Sequence, residues 1–184
     1  MQINEQDFLD MAEEGNKLLF VDIEATGLKG DYNSVLVVSA LPYQAKKATS
    51  FVVKQPGNDQ KVVREAKEYM EEFLCWVTYY GKGFDLPMLN TRLLRWEQEP
   101  IAKRHHIDLY FSLKANILTA RKSQAHLLRF LDCDTQKMDV SPSEWCKVLE
   151  TGDLKKMTER CESDCEGLRG LYKKTRHLIR EIKK

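Results

Sequence analysis

The feature that most constrains the fold is the run Leu18–Ile23, which is apolar at both alternating sets of positions until its end. An apolar residue on each face predicts a central strand that is covered on both sides. Covering both faces of a sheet requires helical layers packed against it. The chain has 184 residues, of which 42% are hydrophobic, enough for one full core and short for two. We therefore expect one α/β domain.

The predicted elements after this strand fit a mixed sheet with helices on its faces. Two β-rich runs follow at 35–41 and 48–53, and their short connection predicts an antiparallel hairpin. The hydrophobic periodicity then alternates between helical and strand spacing, which predicts helix 60–74, strand 76–79, helix 85–96 and strand 106–109. From 111 onward it predicts helices, with a loop around 132–141 and a last helix over 153–182.

Composition excludes several classes of protein. Lys and Arg number 29 against 28 Asp and Glu, so nucleic-acid contact must be local instead of resting on bulk charge. No stretch approaches the roughly 18 apolar residues of a membrane helix, and the acidic, polar start does not resemble a signal peptide. We expect a soluble, cytoplasmic protein with no membrane contact. The 5 cysteines lack CxxC spacing, which predicts reduced, mostly buried thiols in a reducing compartment.

Two acids end the first strand in an unusual way. Asp22 and Glu24 stand two residues apart, so both side chains leave the same face at the carboxyl end. Adjacent like charges repel and lose hydration, and a divalent metal ion can reverse this by supplying opposite charge. The pair is therefore either a solvated strand end or part of a metal site.

Three more acids have two interpretations each. Asp164 falls on or beside the apolar stripe of the last helix, where it either pairs with Arg160 one turn earlier or binds a metal ion. Asp85 follows a small-residue turn and is either a helix N-cap or a group facing a ligand. Asp108 ends a short strand and is either a fifth acid near the site or another N-cap.

Three blocks of sequence resemble the DEDD-type 3′-to-5′ exonucleases of the ribonuclease H-like superfamily. They are VDIEATGL at 21–28, YYGKGFDLPMLNTR at 79–92 and MTERCESDCEGLRGLY at 157–172, and HIDLYFSLK at 106–114 resembles the segment that follows the second block. The match runs from about Lys17 to Leu178. It implies a single ribonuclease H-like domain over 1–184, with a mixed central sheet whose first three strands are antiparallel.

The resemblance also implies a metal site and a substrate site. Asp22 would bridge two divalent ions, Glu24 and Asp164 would help hold the first, and Asp85 would act from the side of the second. Oxygen ligands suit Mg²⁺ or Mn²⁺. Residues expected to contact substrate are Thr26, Gly27, Leu28, Tyr80, Phe84 and Arg160. Tyr80 would stack on a base or, alternatively, belong to the sheet core.

The chain departs from the family beside the last acid. Active members carry a Tyr four residues or a His five residues before it, where this chain has Arg160 and Glu159. Arginine stays protonated and cannot act as a general base. It either binds substrate phosphate, or pairs with Asp164 in place of a metal ion, or leaves the base to a histidine.

The histidines that could supply the general base are His105, His106 and His126. The first two follow basic residues and are expected to face solvent before a strand. A second departure is Tyr80, which stands where the family often has Asn.

The leading hypothesis is a metal-dependent 3′-to-5′ exonuclease acting on the 3′ end of single-stranded DNA or RNA. Arg160 either weakens catalysis in this enzyme or contributes to it. Its rival is a catalytically impaired relative that binds nucleic acid or a replication or repair protein. A third hypothesis is a phosphodiesterase that acts on very short oligonucleotides.

Overall fold

A five-stranded mixed sheet forms the centre of the computed structural model, which describes residues 4–135, 138 and 140–179. The strands are β1 (Leu18–Ala25), β2 (Val35–Pro42), β3 (Thr49–Val52), β4 (Cys75–Thr78) and β5 (His105–Asp108), in the spatial order β3-β2-β1-β4-β5. β1 pairs antiparallel with β2, and β2 with β3, while β4 and β5 join in parallel. This confirms the predicted α/β fold and its antiparallel leading strands.

Helices cover both faces of the sheet. They are α1 (Glu5–Glu14), α2 (Gln60–Met70), α3 (Asp85–Arg95), α4 (Leu109–Asn116), α5 (Gln124–Phe130), α6 (Pro142–Thr151) and α7 (Lys155–Thr175), followed by a 3₁₀ turn at Arg176–Leu178. The predicted last helix was too long, since the α-helix ends at Thr175, and the predicted end at Ile182 lies outside the described residues. Within the described residues, no helix combines the length and hydrophobicity needed to span a bilayer.

Helix α1 was not predicted, although its local chemistry is clear. Asn4 is the N-cap, and its side chain accepts a hydrogen bond from the Asp7 N–H at 2.9 Å. Leu9 and Ala12 are fully buried on one side of the helix. The acidic, polar character of the segment hid this short apolar face.

The core lies in two layers, one on each face of the sheet. Leu19, Val21 and Ile23 of β1 pack into the layer that includes α2 and α3. Leu18 and Phe20 pack into the other layer, with α1 and much of α7. Because Asp22 and Glu24 continue the face of Leu18 and Phe20, the strand directs them towards α7. The double apolar face of β1 is thus buried as predicted.

A buried ion pair ties the loop after β1 to two helices. Arg92 of α3 donates from Nε and Nη2 to the two carboxylate oxygens of Asp59, at 2.8 and 3.0 Å. Asp59 also accepts from the N–H of Val35 and the indole N–H of Trp96, both at 2.8 Å. The remaining Nη1 of Arg92 donates to the carbonyl oxygen of Gly30 at 3.0 Å. Sequence reasoning did not find this pair, which holds the loop after β1 against α3 at Gly30.

The cysteines are all free thiols. Cys75, Cys133, Cys161 and Cys165 are buried, and Cys146 is exposed. This agrees with the expectation of mostly buried thiols without a disulfide framework.

Candidate functional site

Three of the acids predicted as metal ligands lie together at the carboxyl end of β1. Asp22 and Glu24 leave β1 on one face, and Asp164 reaches them from the middle of α7. One carboxylate oxygen from each of the three lies within 4.8 Å of the others. Glu24 and Asp164 are 7% and 2% exposed, so their mutual repulsion is poorly screened by water. This cluster strongly favours a cation.

The fourth acid, Asp85, lies outside this 4.8 Å group. It is the first residue of α3, and the N-cap is Phe84, which forms no side-chain cap hydrogen bond. The N-cap interpretation of Asp85 is therefore wrong by one residue. Its carboxyl group is buried and lines the same cavity as Asp22.

The surroundings of Asp85 favour its protonated form. Burial raises the pKa of this carboxyl to about 7, and the carboxylates of Asp108 and Glu24 add to the shift. Its own backbone N–H and that of Ile23 oppose the shift by stabilising the charged form. A bound cation would supply the positive charge that the ionised form lacks.

Arg160 contacts the acidic cluster directly. Its Nε lies 2.9 Å from Oε1 of Glu24 and 3.9 Å from Oδ2 of Asp164. The predicted pairing with Asp164 is thus the longer of two contacts, because the side chain reaches across to β1. The guanidinium is permanently charged and lies at the edge of the proposed metal site.

Two further residues support the acids, and sequence reasoning missed both roles. The Cys161 Sγ lies 3.2 Å from the carbonyl oxygen of Asp22 and 3.5 Å from its Oδ2. Burial raises the pKa of this thiol, and the Asp22 carboxylate raises it further, so the thiol remains a neutral donor. Gln124 of α5 donates from Nε2 to the carbonyl oxygen of Asp164 at 2.9 Å. Cys161 falls on the apolar stripe of the last helix, three residues before Asp164, and this spacing predicts only a core residue. Nothing in the spacing marks Gln124.

A cavity of about 670 Å³ opens beside the acids. Asp22 and Asp85 form its acidic side. The rest of the wall comes from the end of β1, the loop after it, the turn after β4 and the start of α5: Ile23, Leu28, Lys29, Tyr79, Tyr80, Gly83, Phe84, Ser123, Gln124 and Ala125. Predicted contact residues Leu28, Tyr80 and Phe84 therefore share one cavity with two of the acids.

The turn after β4 presents an aromatic surface at this cavity. Tyr80 has a positive φ of 65°, and the N–H groups of Tyr80 and Lys82 both donate to Asp108, each at 2.9 Å. Tyr80 is 46% exposed and Phe111 is 42% exposed, and the centroids of their rings lie 5.8 Å apart. Tyr80 is therefore not sheet core. We call Tyr80 and Phe111 the aromatic pair.

Asp108 serves the structure of this turn. Besides the two bonds to the turn, it accepts from the N–H of Tyr110 at 3.1 Å as the N-cap of α4. The N-cap interpretation of Asp108 is confirmed. It is buried, with a carboxylate occupied by main-chain donors.

The loop after β1 carries three residues predicted to contact substrate. Leu28 is 79% exposed and lines the cavity. Thr26 closes the loop, because its N–H donates to the Ser34 carbonyl at 2.9 Å and its hydroxyl accepts from the Ser34 N–H at 3.0 Å. Gly27 lies against the side chain of Asn33. Thr26 and Gly27 thus shape the loop, and Leu28 faces the cavity.

The three candidate histidines lie away from the cavity wall. His106 is buried in β5 and its Nε2 lies 2.8 Å from the Thr78 hydroxyl, so the expectation that it faces solvent is wrong. His106 lies on β5, and the pairing of β5 with β4 brings its side chain next to Thr78 of β4. His105 packs on Phe8 at 4.4 Å between ring centroids, and His126 stacks on Phe130 at 6.5 Å.

The donor set fits hard divalent cations. Carboxylate oxygens are the ligands that Mg²⁺ and Mn²⁺ prefer. Asp22, Glu24 and Asp164 supply converging oxygens, and Asp85 supplies another within the same cleft. In the metal-free chain, burial raises the pKa of the Cys161 thiol, which therefore lies beside these oxygens as a neutral group.

The fold and this acidic cleft define an α/β protein of the ribonuclease H-like class. The family model described as the RNase H superfamily matches residues 19–176. The chain belongs to that superfamily, whose members generally use divalent metals. No curated protein matches the chain in sequence.

Among solved structures, the chain is similar to the family B DNA polymerase from the hyperthermophilic archaeon Pyrobaculum calidifontis. The TM-score is 0.66 at 18% sequence identity, and the match covers 86% of this chain. It covers 24% of the polymerase, so the chain spans about a quarter of that protein's length. At this identity the likeness shows a shared fold.

Proposed function

We propose that the protein is a metal-dependent 3′-to-5′ exonuclease that hydrolyses phosphodiester bonds at the 3′ end of single-stranded DNA or RNA. The observation that carries the proposal is the convergence of Asp22, Glu24 and Asp164 within 4.8 Å beside a cavity that Asp85 also lines. Superfamily membership supports a nuclease, and the three sequence blocks support the 3′-to-5′ direction.

Each acid has a role that its position supports. Asp22 faces both the cluster and the cavity, so it would contact both divalent ions. Glu24 and Asp164 would complete the first site, and Asp85 would hold the second from the start of α3. Bound Mg²⁺ or Mn²⁺ would lower the pKa of an attacking water and would stabilise the negative charge on the departing 3′ oxygen.

The cavity wall suits a terminal nucleotide of a single strand. Leu28 and Phe84 offer apolar surface in this wall, and the half-exposed Tyr80 offers a ring for stacking. Stacking on aromatic rings requires an unpaired base and tolerates any base identity. With a net charge of +1, recognition by these local contacts is favoured over broad electrostatic capture.

A second candidate function rests on Arg160. Its 2.9 Å contact with Glu24 places a fixed positive charge against a proposed metal ligand. The exonucleases that the chain resembles carry a Tyr at this position or a His one residue earlier, and this chain has Arg160 and Glu159 there. In this alternative the chain binds nucleic acid, or a replication or repair protein, with little catalysis. The same cavity and aromatic pair would then serve binding alone.

The test is hydrolysis of a 5′-labelled single-stranded DNA and the matching RNA with Mg²⁺, with Mn²⁺ or with EDTA. A ladder that shortens from the 3′ end, needs metal and disappears in Asp22→Asn supports the exonuclease. Asp134→Asn is the matched control, because it changes an exposed aspartate outside the cavity wall. Cleavage that does not need metal contradicts the exonuclease proposal, and so does the absence of cleavage by folded protein. A ladder confined to the shortest substrates favours the oligonucleotide phosphodiesterase.

A further inference from the structure

The position of Arg160 bears on how the acidic cluster takes up metal. Its Nε is buried and lies 2.9 Å from Oε1 of Glu24, but the N–H is not aligned for a hydrogen bond. The second contact, to Oδ2 of Asp164, is 3.9 Å. The interaction is therefore mainly one of charge with charge, between a guanidinium and two of the three clustered carboxylates.

A guanidinium and a divalent ion make competing demands on these oxygens. The arginine cannot lose its charge, so it compensates part of the negative charge of the cluster at any pH. A metal ion at the same carboxylates would be repelled by it, and more strongly in a buried site than in water. Ligation of Glu24 also requires its oxygens to face the ion in place of Arg160.

We propose that Arg160 is a built-in competitor of the divalent cation for Glu24 and Asp164, which lowers the metal affinity of the site. The inference rests on the proposed function, since it concerns the same metal site. The arginine stabilises the metal-free chain and yields Glu24 when metal binds. Site occupancy would then follow the free concentration of metal, so that Arg160 sets the concentration at which the site fills.

The experiment is a calorimetric titration of Mn²⁺ into the metal-free protein and its variants, without nucleic acid. Arg160→Gln removes the charge and should bind Mn²⁺ at least about tenfold more tightly, a coupling of ordinary size for two linked sites. Arg160→Lys keeps a charge but loses the planar fork, and should show intermediate affinity. Glu24→Gln, which removes a carboxylate, should weaken binding in either background.

Arg169→Gln is the matched control for the loss of one positive charge from α7. Arg169 donates to the carbonyl oxygens of Tyr43 and Ala45, and lies nine residues beyond Arg160, about 13 Å along the helix. Its substitution should leave the Mn²⁺ affinity unchanged. An equal gain in Arg169→Gln would mean that net charge alone acts, and would overturn the proposal.

The remaining outcomes separate this inference from the proposed function. If the native protein binds Mn²⁺ and Arg160→Gln binds equally or more weakly, the competitor role is wrong and the metal site stands. If neither binds Mn²⁺, both the inference and the metal-dependent function fail. If Arg160→Gln does not fold, Arg160→Lys decides, and affinity no tighter than native then overturns the proposal.

Discussion

Asp85 should make the stability of the metal-free protein depend on pH. Its folded pKa of about 7 exceeds the ordinary 3.8, so the folded state binds more protons than the unfolded state between these values. The stability contribution of this group is therefore greatest at low pH and is lost as pH rises through about 7. Asp85→Asn removes the titration, and urea unfolding in EDTA across this window should show the native protein losing stability relative to the variant.

The comparison with Asp85→Asn is needed because His106 acts in the opposite direction. Burial lowers the pKa of this imidazole to about 4, with Lys82 adding to the effect. Neutral His106 thus stabilises the fold above its ordinary pKa of 6.5, and this contribution is lost as pH falls towards 4. A difference between native and Asp85→Asn that is flat with pH would show that Asp85 is ionised throughout.

Thiol reactivity tests the burial of single side chains. Cys146 is exposed, whereas Cys75, Cys133, Cys161 and Cys165 are buried, and burial raises the pKa of each of these four thiols. Only thiolates react rapidly with disulfide reagents. Folded protein should therefore react with Ellman's reagent at one thiol, and unfolded protein at all five. Cys146→Ser should abolish the folded-state reaction, and fast reaction of a second thiol would contradict the burial of that side chain.

The acids of the cleft were predictable residue by residue, but their partners were not. Asp22 and Glu24 stood out because a buried strand should not end in two charges, and Asp164 because it fell on an apolar stripe. Arg160 is four residues from Asp164, which suggested that pair and concealed the closer contact with Glu24 across the chain. Contacts of this kind depend on how a helix crosses a strand, which local spacing does not encode.

The turn after β4 and the start of α4 act together through the aromatic pair. Stacking of a base on an aromatic side chain is worth about 1–3 kcal/mol. Phe111→Ala and Tyr80→Ala should each weaken binding of a single-stranded oligonucleotide by about 5- to 150-fold, which is that energy expressed as affinity. Fluorescence anisotropy in the Asp22→Asn background measures binding without hydrolysis.

Phe130→Ala is the control for the aromatic pair. Phe130 is 62% exposed at the end of α5, outside the cavity wall, so its removal should leave binding unchanged. Equal affinity of the Phe111 variant and the parent would remove that ring from the binding surface. A loss confined to Tyr80→Ala would limit the surface to the cavity itself.

Elements with strong periodicity were predicted well, and their ends less well. The antiparallel strands and α2 follow from apolar patterns that tertiary packing preserves. Helix α1 is short and carries only two buried residues, Leu9 and Ala12, so its pattern was too weak. The end of α7 at Thr175 falls where Leu178 and Ile179 still continue the apolar spacing, and the chain nevertheless turns into a 3₁₀ segment.

Asp59 connects elements that lie far apart in the sequence, and the stability of the whole molecule should depend on it. It is fully buried and receives four donors, two from Arg92 and one each from Trp96 and Val35. Asp59→Ala leaves the Arg92 guanidinium buried without its partner, and breaking such a pair costs about 3–5 kcal/mol. The free energy of unfolding in urea should fall by that amount.

The control is Asp153→Ala. Asp153 is exposed just before α7 and accepts one hydrogen bond, from the Lys155 N–H, so its replacement should cost only about 1 kcal/mol. Replacing both partners, as in Asp59→Leu with Arg92→Met, removes the two buried charges together and should recover part of the loss. A loss below about 1 kcal/mol in Asp59→Ala would mean that Arg92 finds other partners.

Since Arg92 also donates to Gly30, the loop bearing Leu28 should loosen in the same variant, so weaker nucleic-acid binding should accompany the lower stability.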